Sequence, residues 1–422
     1  MALGWAALIL ALTLFPGPEI TAPPEDLPST LCLICGGRGG ADAILNVLLF
    51  LPLGVALMAA TDKPFRMIAL VASMSVGIEV LQGMIPGRYP TLGDVVYNVV
   101  GGGAGVGLAA VRGQLLWPSR RIGGALTIGT GAAAAAVFFL TGLLLTPSVP
   151  DTVYYGQWTP DLHYMEAYGG RVLEASLGSM FLGSKRTSDP ALAVSLVRSG
   201  GPLDARVVAG PAPPALAPII SIFDESSVEI VVLGADVTDL VLRVRYRAND
   251  FRLDRPDLRV RGAFSDTRPG DTIRLSAEKA LEGYSLRLEQ REYAPLRHTL
   301  GEGWALLFHP EHTAPWVDFT LNLAWVAGPL ILAGWWAPGI GWAAAALSLA
   351  VSGMAMGAAV GPLTDLTTAE ILVAFLGVLI GMALRRAHLK GSTMPPLCAS
   401  VAQGKPRTGS VLMTGANGGT TK

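Results

Sequence analysis

Charge is scarce in this chain of 422 residues: Asp, Glu, Lys and Arg together make up 15%, against about 25% in ordinary soluble domains. That shortage excludes a fold bathed in water on all sides. Positive charge is not in excess either, since 31 Lys and Arg face 32 Asp and Glu for a net charge of −1. The basic face that nucleic-acid binding requires is therefore missing, and no nucleic-acid partner is expected. Cysteine is rare as well. Three of them cannot build the framework of a disulfide-stapled domain. The stretch Ala2 to Phe15 is apolar but lacks the basic region and small-residue cleavage site of a secretory signal, so it reads as a retained first helix.

What the chain has is hydrophobicity, 51% of it, unevenly placed. A bilayer core about 30 Å thick needs about 20 apolar residues per helix. Eight stretches are candidates: 3–17, 42–60, 66–85, 94–111, 122–146, 319–337, 340–360 and 369–385. The first is short and the fourth is glycine-rich. Lys and Arg in short loops favour the cytoplasm. Lys63 and Arg66, then Arg112, Arg120 and Arg121, then Arg385, Arg386 and Lys390 share one side only if both chain ends are cytoplasmic. Arg38 and Arg88 then lie outside, against the trend. The loops on that outer side hold Cys32 and Cys35, the stretch Pro86 to Gly93, and the whole charged segment 151–316.

Within that segment the period changes. Ile220 and Ile222, Ile230 and Val232, Leu240, Leu242 and Val244, Leu258 and Val260, Ile273 and Leu275, and Leu286 and Leu288 alternate with polar neighbours, the signature of strands buried on one face. Gly234, Pro256, Pro269-Gly270 and Gly283 punctuate them, and a sandwich or jelly roll is the natural closure. The expected fold is thus an all-α membrane bundle of about eight helices with an inserted all-β domain. Its divisions are 1–115 with four spans, 116–150 with the fifth, 151–316 as the β domain, 317–388 with three more spans, and a disordered tail over 389–422.

Ionisable groups inside apolar spans cost about 2.5–3.5 kcal/mol each on insertion scales, so their placement matters. Asp42 and Asn46 share a helical face, as do Asp94 and Asn98, and Glu79 and Gln82 stand three apart on another. In the topology above all three pairs lie toward the outer leaflet, with Arg88 in the loop between the last two. Asp42 and Asp94 read equally well as acids at positive helix N-termini. Glu79 lies inside its span and has no cap to serve. Together the acids make a polar pocket suited to a cation, a proton or a hydroxyl-rich headgroup.

In this order, Asp42, Asn46-Val-Leu-Leu-Phe50-Leu-Pro52-Leu-Gly54, Ile78-Glu79-Val-Leu-Gln82, Arg88 and Asp94-Val-Val-Tyr-Asn98 followed by Gly101-Gly102 resemble the VanZ-like family over residues 1–115. The resemblance implies a small bacterial membrane protein of the cell envelope. The founding member is linked to low-level resistance to teicoplanin, and no reaction is established for the family as a whole. This chain is much longer, so a resistance role does not transfer. The stretch Pro218-Ile-Ile-Ser-Ile-Phe-Asp224 through Phe264 is similar in pattern to concanavalin A-like lectin and glucanase jelly rolls of the laminin-G type. That likeness implies sugar binding; Asp224, Glu225 and Glu229 are the acids a glycan hydrolase would draw on, but no catalytic signature accompanies them and such acids are usually solvated strand-end charges.

Other signals are weaker. Gly101-Gly102-Gly103-Ala-Gly105-Val-Gly107 has no preceding strand and no following Lys-Ser/Thr, so it reads as a helix-packing surface. No cofactor is expected. Cys32 and Cys35 close a small disulfide or stay free thiols; no further ligand stands near enough in sequence for a metal site. Trp335 and Trp336 read as interfacial anchors. His298 belongs to the β segment, as do His309, Glu311 and His312, which read as strand-end groups before metal ligands. The functional expectations are a non-enzymatic membrane protein that engages a membrane lipid or lipid-linked glycan, and a cell-surface polysaccharide through the β domain; alternatively a proton-coupled transporter or flippase; and third a membrane-embedded enzyme, for which acids are present without a convincing nucleophile.

Overall fold

The computed structural model describes residues 2–15, 29–61, 63–162, 165–308 and 314–391. His309, Glu311, His312, Cys398 and the tail from 392 onward lie outside them. The chain begins with α1 (Ala2–Thr13), α2 (Gly39–Ala60), α3 (Pro64–Gln82), α4 (Leu92–Ala110), the single turn α5 (Arg112–Leu116) and α6 (Arg120–Leu144). The β domain follows, and α9 (Pro315–Trp336), α10 (Ile340–Val360) and α11 (Thr368–Gly391) close the chain.

Six helices among the described residues are long and apolar enough to cross a bilayer: α2, α3, α6, α9, α10 and α11. The expectation of about eight is not met by length and composition. Helix α1 has 12 residues, about 18 Å at 1.5 Å per residue, too short for the hydrocarbon layer. Helix α4 has 19 residues, but Asp94, Asn98 and its run of glycines dilute its apolarity. It nevertheless lies along its neighbours for its whole length. Gly101 faces the backbone of Val47 and Gly105 that of Leu51, so α4 runs parallel to α2. Asn98 meets Ser75 and Thr91 meets Glu79, so it runs antiparallel to α3.

The second bundle repeats this arrangement. Gly353 faces Ala135 and Gly142 faces Gly357, which sets α6 and α10 parallel; Gly377 faces Ala327 and Gly381 faces Ile331, which does the same for α9 and α11. Helices α6 and α9 run antiparallel, with Gly123 against the Trp336 carbonyl and the Thr127 hydroxyl donating to Ala333 O at 3.3 Å. Small residues throughout let backbones touch, which is how helices associate where lipid removes the hydrophobic drive. These directions bring Lys63, Arg66, Arg112, Arg120, Arg121, Arg385, Arg386 and Lys390 to one end of the helices. At that end Trp336 Nε1 donates to Leu115 O at 3.0 Å.

The β domain stands at the other end. Its strands are β1 (Tyr154–Trp158), β2 (Arg171–Leu177), β3 (Met180–Phe181), β4 (Leu203–Val208), β5 (Ala217–Asp224), β6 (Glu229–Asp236), β7 (Asp239–Val244), β8 (Leu258–Val260), β9 (Thr272–Ala280), β10 (Gly283–Leu288) and β11 (Arg291–Leu296), with helices α7 (Pro190–Ser199) and α8 (Arg247–Asp250) between them and a 3-10 turn at Leu300–Leu306. They form two antiparallel sheets, β1-β5-β6-β7-β8 and β11-β10-β9-β4-β2-β3, whose inward side chains make one core. The alternating runs from Ile220 to Leu288 fall in β5 to β10. Strands β1 to β3 carry no such clear alternation, β4 alternates only over Leu203, Ala205 and Val207, and β2 shifts register between Val172 and Glu174, which breaks the period of two on which a sequence reading depends. Strand β5 is buried on both faces, more than one-sided alternation implies.

The register between α2 and α4 can be tested directly. A Cβ at Gly105 would lie 2.0 Å from Leu51 O, whereas one at Gly103 meets nothing within 4 Å. Gly105→Ala is expected to lower stability in detergent by about 1–3 kcal/mol, and Gly103→Ala to leave it equal or raise it by up to about 1 kcal/mol. Equal melting shifts for the two variants would refute the packing.

Candidate functional site

Helix α4 opens with Thr91 as its N-cap, and a single hydroxyl does two jobs there. Thr91 Oγ1 accepts from the Asp94 amide at 3.2 Å and donates to Asp94 Oδ2 at 2.8 Å. The other oxygen, Asp94 Oδ1, accepts from Asn46 Nδ2 of α2 at 2.6 Å. The Thr91 amide donates to Glu79 Oε2 of α3 at 3.0 Å, and Glu79 is only 8% exposed. One turn deeper, Asn98 Nδ2 donates to Ser75 Oγ at 3.0 Å. Three helices are thus stitched through polar side chains at the end nearest the β domain. Ser75 and Thr91 were not singled out in the sequence, although Thr91-Leu-Gly-Asp94 has capping-box spacing and Ser75 precedes Glu79 by one helical turn.

Gln82 and Arg88 do something different from forming a ligand wall. Gln82 Nε2 donates to Thr13 O at 2.9 Å, Arg88 Nε to Phe15 O at 2.9 Å and Arg88 Nη2 to Leu12 O at 3.5 Å. Those carbonyls belong to the C-terminal end of α1 and the two residues beyond it, where no further helical turn can satisfy them. The two side chains thereby hold α1 against α3, and Trp5 Nε1 does the same against α2 by donating to Leu49 O at 2.8 Å. Between α1, α2, α3 and α4 a cavity of about 650 Å³ remains, lined by Asp42, Asn46, Glu79, Gln82, Arg88, Asp94 and Asn98 among others. Every residue proposed for the pocket from sequence lies on its wall.

Cys32 and Cys35 are joined by a disulfide with Cα atoms 5.8 Å apart. The loop that carries them holds the start of α4, since Leu92 N donates to Thr30 O at 2.8 Å and Gly93 N to Cys32 O at 3.0 Å. The next residues meet the β domain. Arg38 pairs with Asp254 at 3.0 Å, and the Arg252 carbonyl accepts from the amides of Gly40 and Ala41 at 3.0 and 3.2 Å. A β-domain turn therefore caps the helix that presents Asp42 and Asn46.

The acids considered for hydrolysis do other work. Asp224 Oδ1 accepts from the amides of Ser226 and Val228, both at 2.9 Å, and Oδ2 from Arg245 at 3.3 Å. Glu229 pairs with Arg255 and Glu225 accepts from Thr152 at 2.8 Å. His298 is 2% exposed, with Tyr246 Oη at 3.0 Å from Nε2 and Glu302 Oε2 at 2.9 Å from Nδ1. Complete burial pushes the Tyr246 phenol well above its usual range, so it stays protonated beside His298. The His298 carbonyl accepts from the Thr364 amide at 2.9 Å, which fastens the β domain to the α10–α11 loop.

Fold and site together define a multi-pass membrane protein with an inserted two-sheet antiparallel sandwich and a polar cavity in its N-terminal helices. Residues 6–113, the part of the chain that encloses the cavity, match the family model described as VanZ/LLP1 and are similar to that family. No curated protein matches the chain, and no solved structure does.

Two measurements check this geometry. Thr91→Ala removes the cap and one donor to Asp94, and should lower the melting temperature by an amount equivalent to about 1 kcal/mol, with Thr91→Ser restoring it. Maleimide titration of the native protein should modify one of the three cysteines before reduction and all three after. Three reactive thiols at the outset would disprove the disulfide.

Proposed function

We propose that this chain is an envelope protein of the bacterial cytoplasmic membrane whose cavity faces outward and receives the headgroup of a membrane lipid or lipid-linked glycan. The observation that carries the reading is the convergence of Asp42, Asn46, Glu79, Asp94 and Asn98 on one cavity of about 650 Å³ at the headgroup end of apolar helices. Polar side chains at such depth are costly and mark ligand or ion paths. The collection of Lys and Arg at the opposite end of the helices supports cytoplasmic chain ends and an extracytoplasmic sandwich. The sandwich, a jelly roll in this reading, contributes sugar binding. A second cavity of about 610 Å³ on its six-stranded sheet, lined by Glu174, Ser176, Asp204, Arg206, Arg274 and Ser276, offers the mixed donors and acceptors that polyols use.

Native mass spectrometry of the full chain released from membranes should show a copurified amphiphile that is lost in the Asn46→Leu, Glu79→Gln double variant. Retention of the same amphiphile by a folded double variant would remove the cavity from the account. For the sandwich, full-length protein on a glycan array should bind polysaccharide, with Arg206→Ala and Arg274→Ala together reducing the signal about tenfold or more. An array signal no higher than that of heat-denatured protein would sink the sugar half. One observation favours a second reading: Glu79 is buried inside a membrane helix beside Asp94, as a proton-carrying carboxylate in a transporter or flippase would be. Unchanged, pH-dependent lipid movement in Glu79→Gln proteoliposomes would rule that out.

A further inference from the structure

The side chains around the cavity differ in how much hydrogen-bonding capacity they have left. Its amide and guanidinium side chains each spend N–H groups on protein oxygens, Asn46 on Asp94, Asn98 on Ser75, Gln82 on Thr13 O, and Arg88 on Phe15 O and Leu12 O, which leaves one N–H on each amide and three on the guanidinium. Arg38, which also lines the cavity, is turned to Asp254 at 3.0 Å. The two helix N-termini beside the cavity are closed to anions as well. The first amides of α2 donate to Arg252 O, and those of α4 to Thr30 O, Cys32 O and Thr91 Oγ1. A phosphate or carboxylate normally binds such ends through free N–H groups, and here the protein's own oxygens already occupy them.

Among the acceptors one has no partner at all. Asn98 is 3% exposed and lines the cavity, and its Oδ1 is buried without any hydrogen-bond partner. A buried carbonyl left unpaired costs about 1–3 kcal/mol, so the site gains when a ligand supplies a donor there. Asp42 is exposed on the same wall, and Asp94 lies within electrostatic reach of both Asp42 and Glu79. The acids outnumber the arginines, one of which is spent on Asp254. A calcium or magnesium ion suits the site poorly, because it takes six or more oxygen ligands while both oxygens of Asp94 and one of Glu79 already hold protein donors.

We infer that the cavity is selective for a primary ammonium group, presented by a lipid headgroup or by a free amine such as an amino sugar. Such a group brings three N–H donors and a positive charge, matching the unpaired Asn98 oxygen and the surplus of carboxylates. The inference rests on the headgroup-binding reading of the cavity and narrows it to a cationic group over phosphate.

The test is native mass spectrometry of the full chain in a non-ionic detergent, titrated with dodecylammonium, dodecyl glucoside and dodecyl phosphate, which share one tail, and with free glucosamine. Dodecylammonium is expected to bind about tenfold or more tightly than either of the others. Asn98→Leu, Glu79→Gln and Asp42→Asn should each weaken it about tenfold while leaving any dodecyl phosphate binding unchanged. Asp42 is exposed, so its variant folds even where the buried substitutions destabilise. Free glucosamine binding as well as dodecylammonium supports a water-soluble amine as the source; dodecylammonium binding alone supports a lipid. Dodecyl phosphate binding as tightly as the amine, and weakening with the same variants, would overturn the ammonium assignment and leave a headgroup site standing. Equal binding of the glucoside would overturn it in the same way. Binding of none of the probes would overturn both the assignment and the headgroup reading.

Discussion

Helices α2 and α4 touch backbone to backbone, and the polar chemistry of the molecule depends on that contact. Cβ atoms at Gly54, Gly101 and Gly105 would each sit 2.0–2.2 Å from a carbonyl oxygen of the facing helix, a separation no side chain tolerates. With only hydrogens there, the helices close into a register that brings Asn46 within 2.6 Å of Asp94. Van der Waals contact between small residues supplies the adhesion that water supplies elsewhere, and the polar pair then fixes the register. Helix α3 joins from the other side through Ser75 and Glu79. The cavity is the space left where α1, too short to span, is held over the polar end by Gln82 and Arg88.

The β domain is not an appendage to this arrangement. Its turn at Arg252 caps α2, its Asp254 takes Arg38, and the disulfide loop between them caps α4. The same loop lines the cavity through Leu33, Cys35 and Gly36. Two of the three helices that present acids to the cavity, α2 and α4, therefore begin on groups supplied by the β domain or by the loop it touches. On the other side, His298 and Arg297 fasten the sandwich to the α10–α11 loop through Thr364 N and Leu363 O. The sandwich spans the two bundles and fixes how they stand with respect to its sheets.

Much of this was legible in the residues. The long apolar runs, the switch to a period of two near 216, and the offsets of Asp42, Asn46, Glu79, Gln82, Asp94 and Asn98 within helical faces follow from local periodicity alone. The count of spans did not, because α1 and α4 have helical sequences whose length or apolarity falls short, and only neighbouring helices show how α4 lies. The early strands did not, because β2 carries a register shift and β3 has two residues. Arg88 and Gln82 were grouped with the acids on position, and position could not reveal that both reach back to the carbonyls of α1.

The sequence by itself determined the broad environments: the six long apolar runs, the charged β segment between them, and which polar residues share a helical face. These follow from hydrophobicity and periodicity, properties of residues a few positions apart. Only the tertiary structure decided which donors are already engaged and which acceptors are left over. The partners of Asn46, Glu79, Gln82, Arg88 and Asn98 come from other segments, 12 to 76 residues away, and hydrogen-bonding capacity is a property of the pair. That difference turned a cluster of acids into a cavity with an orphan acceptor and a definable ligand chemistry.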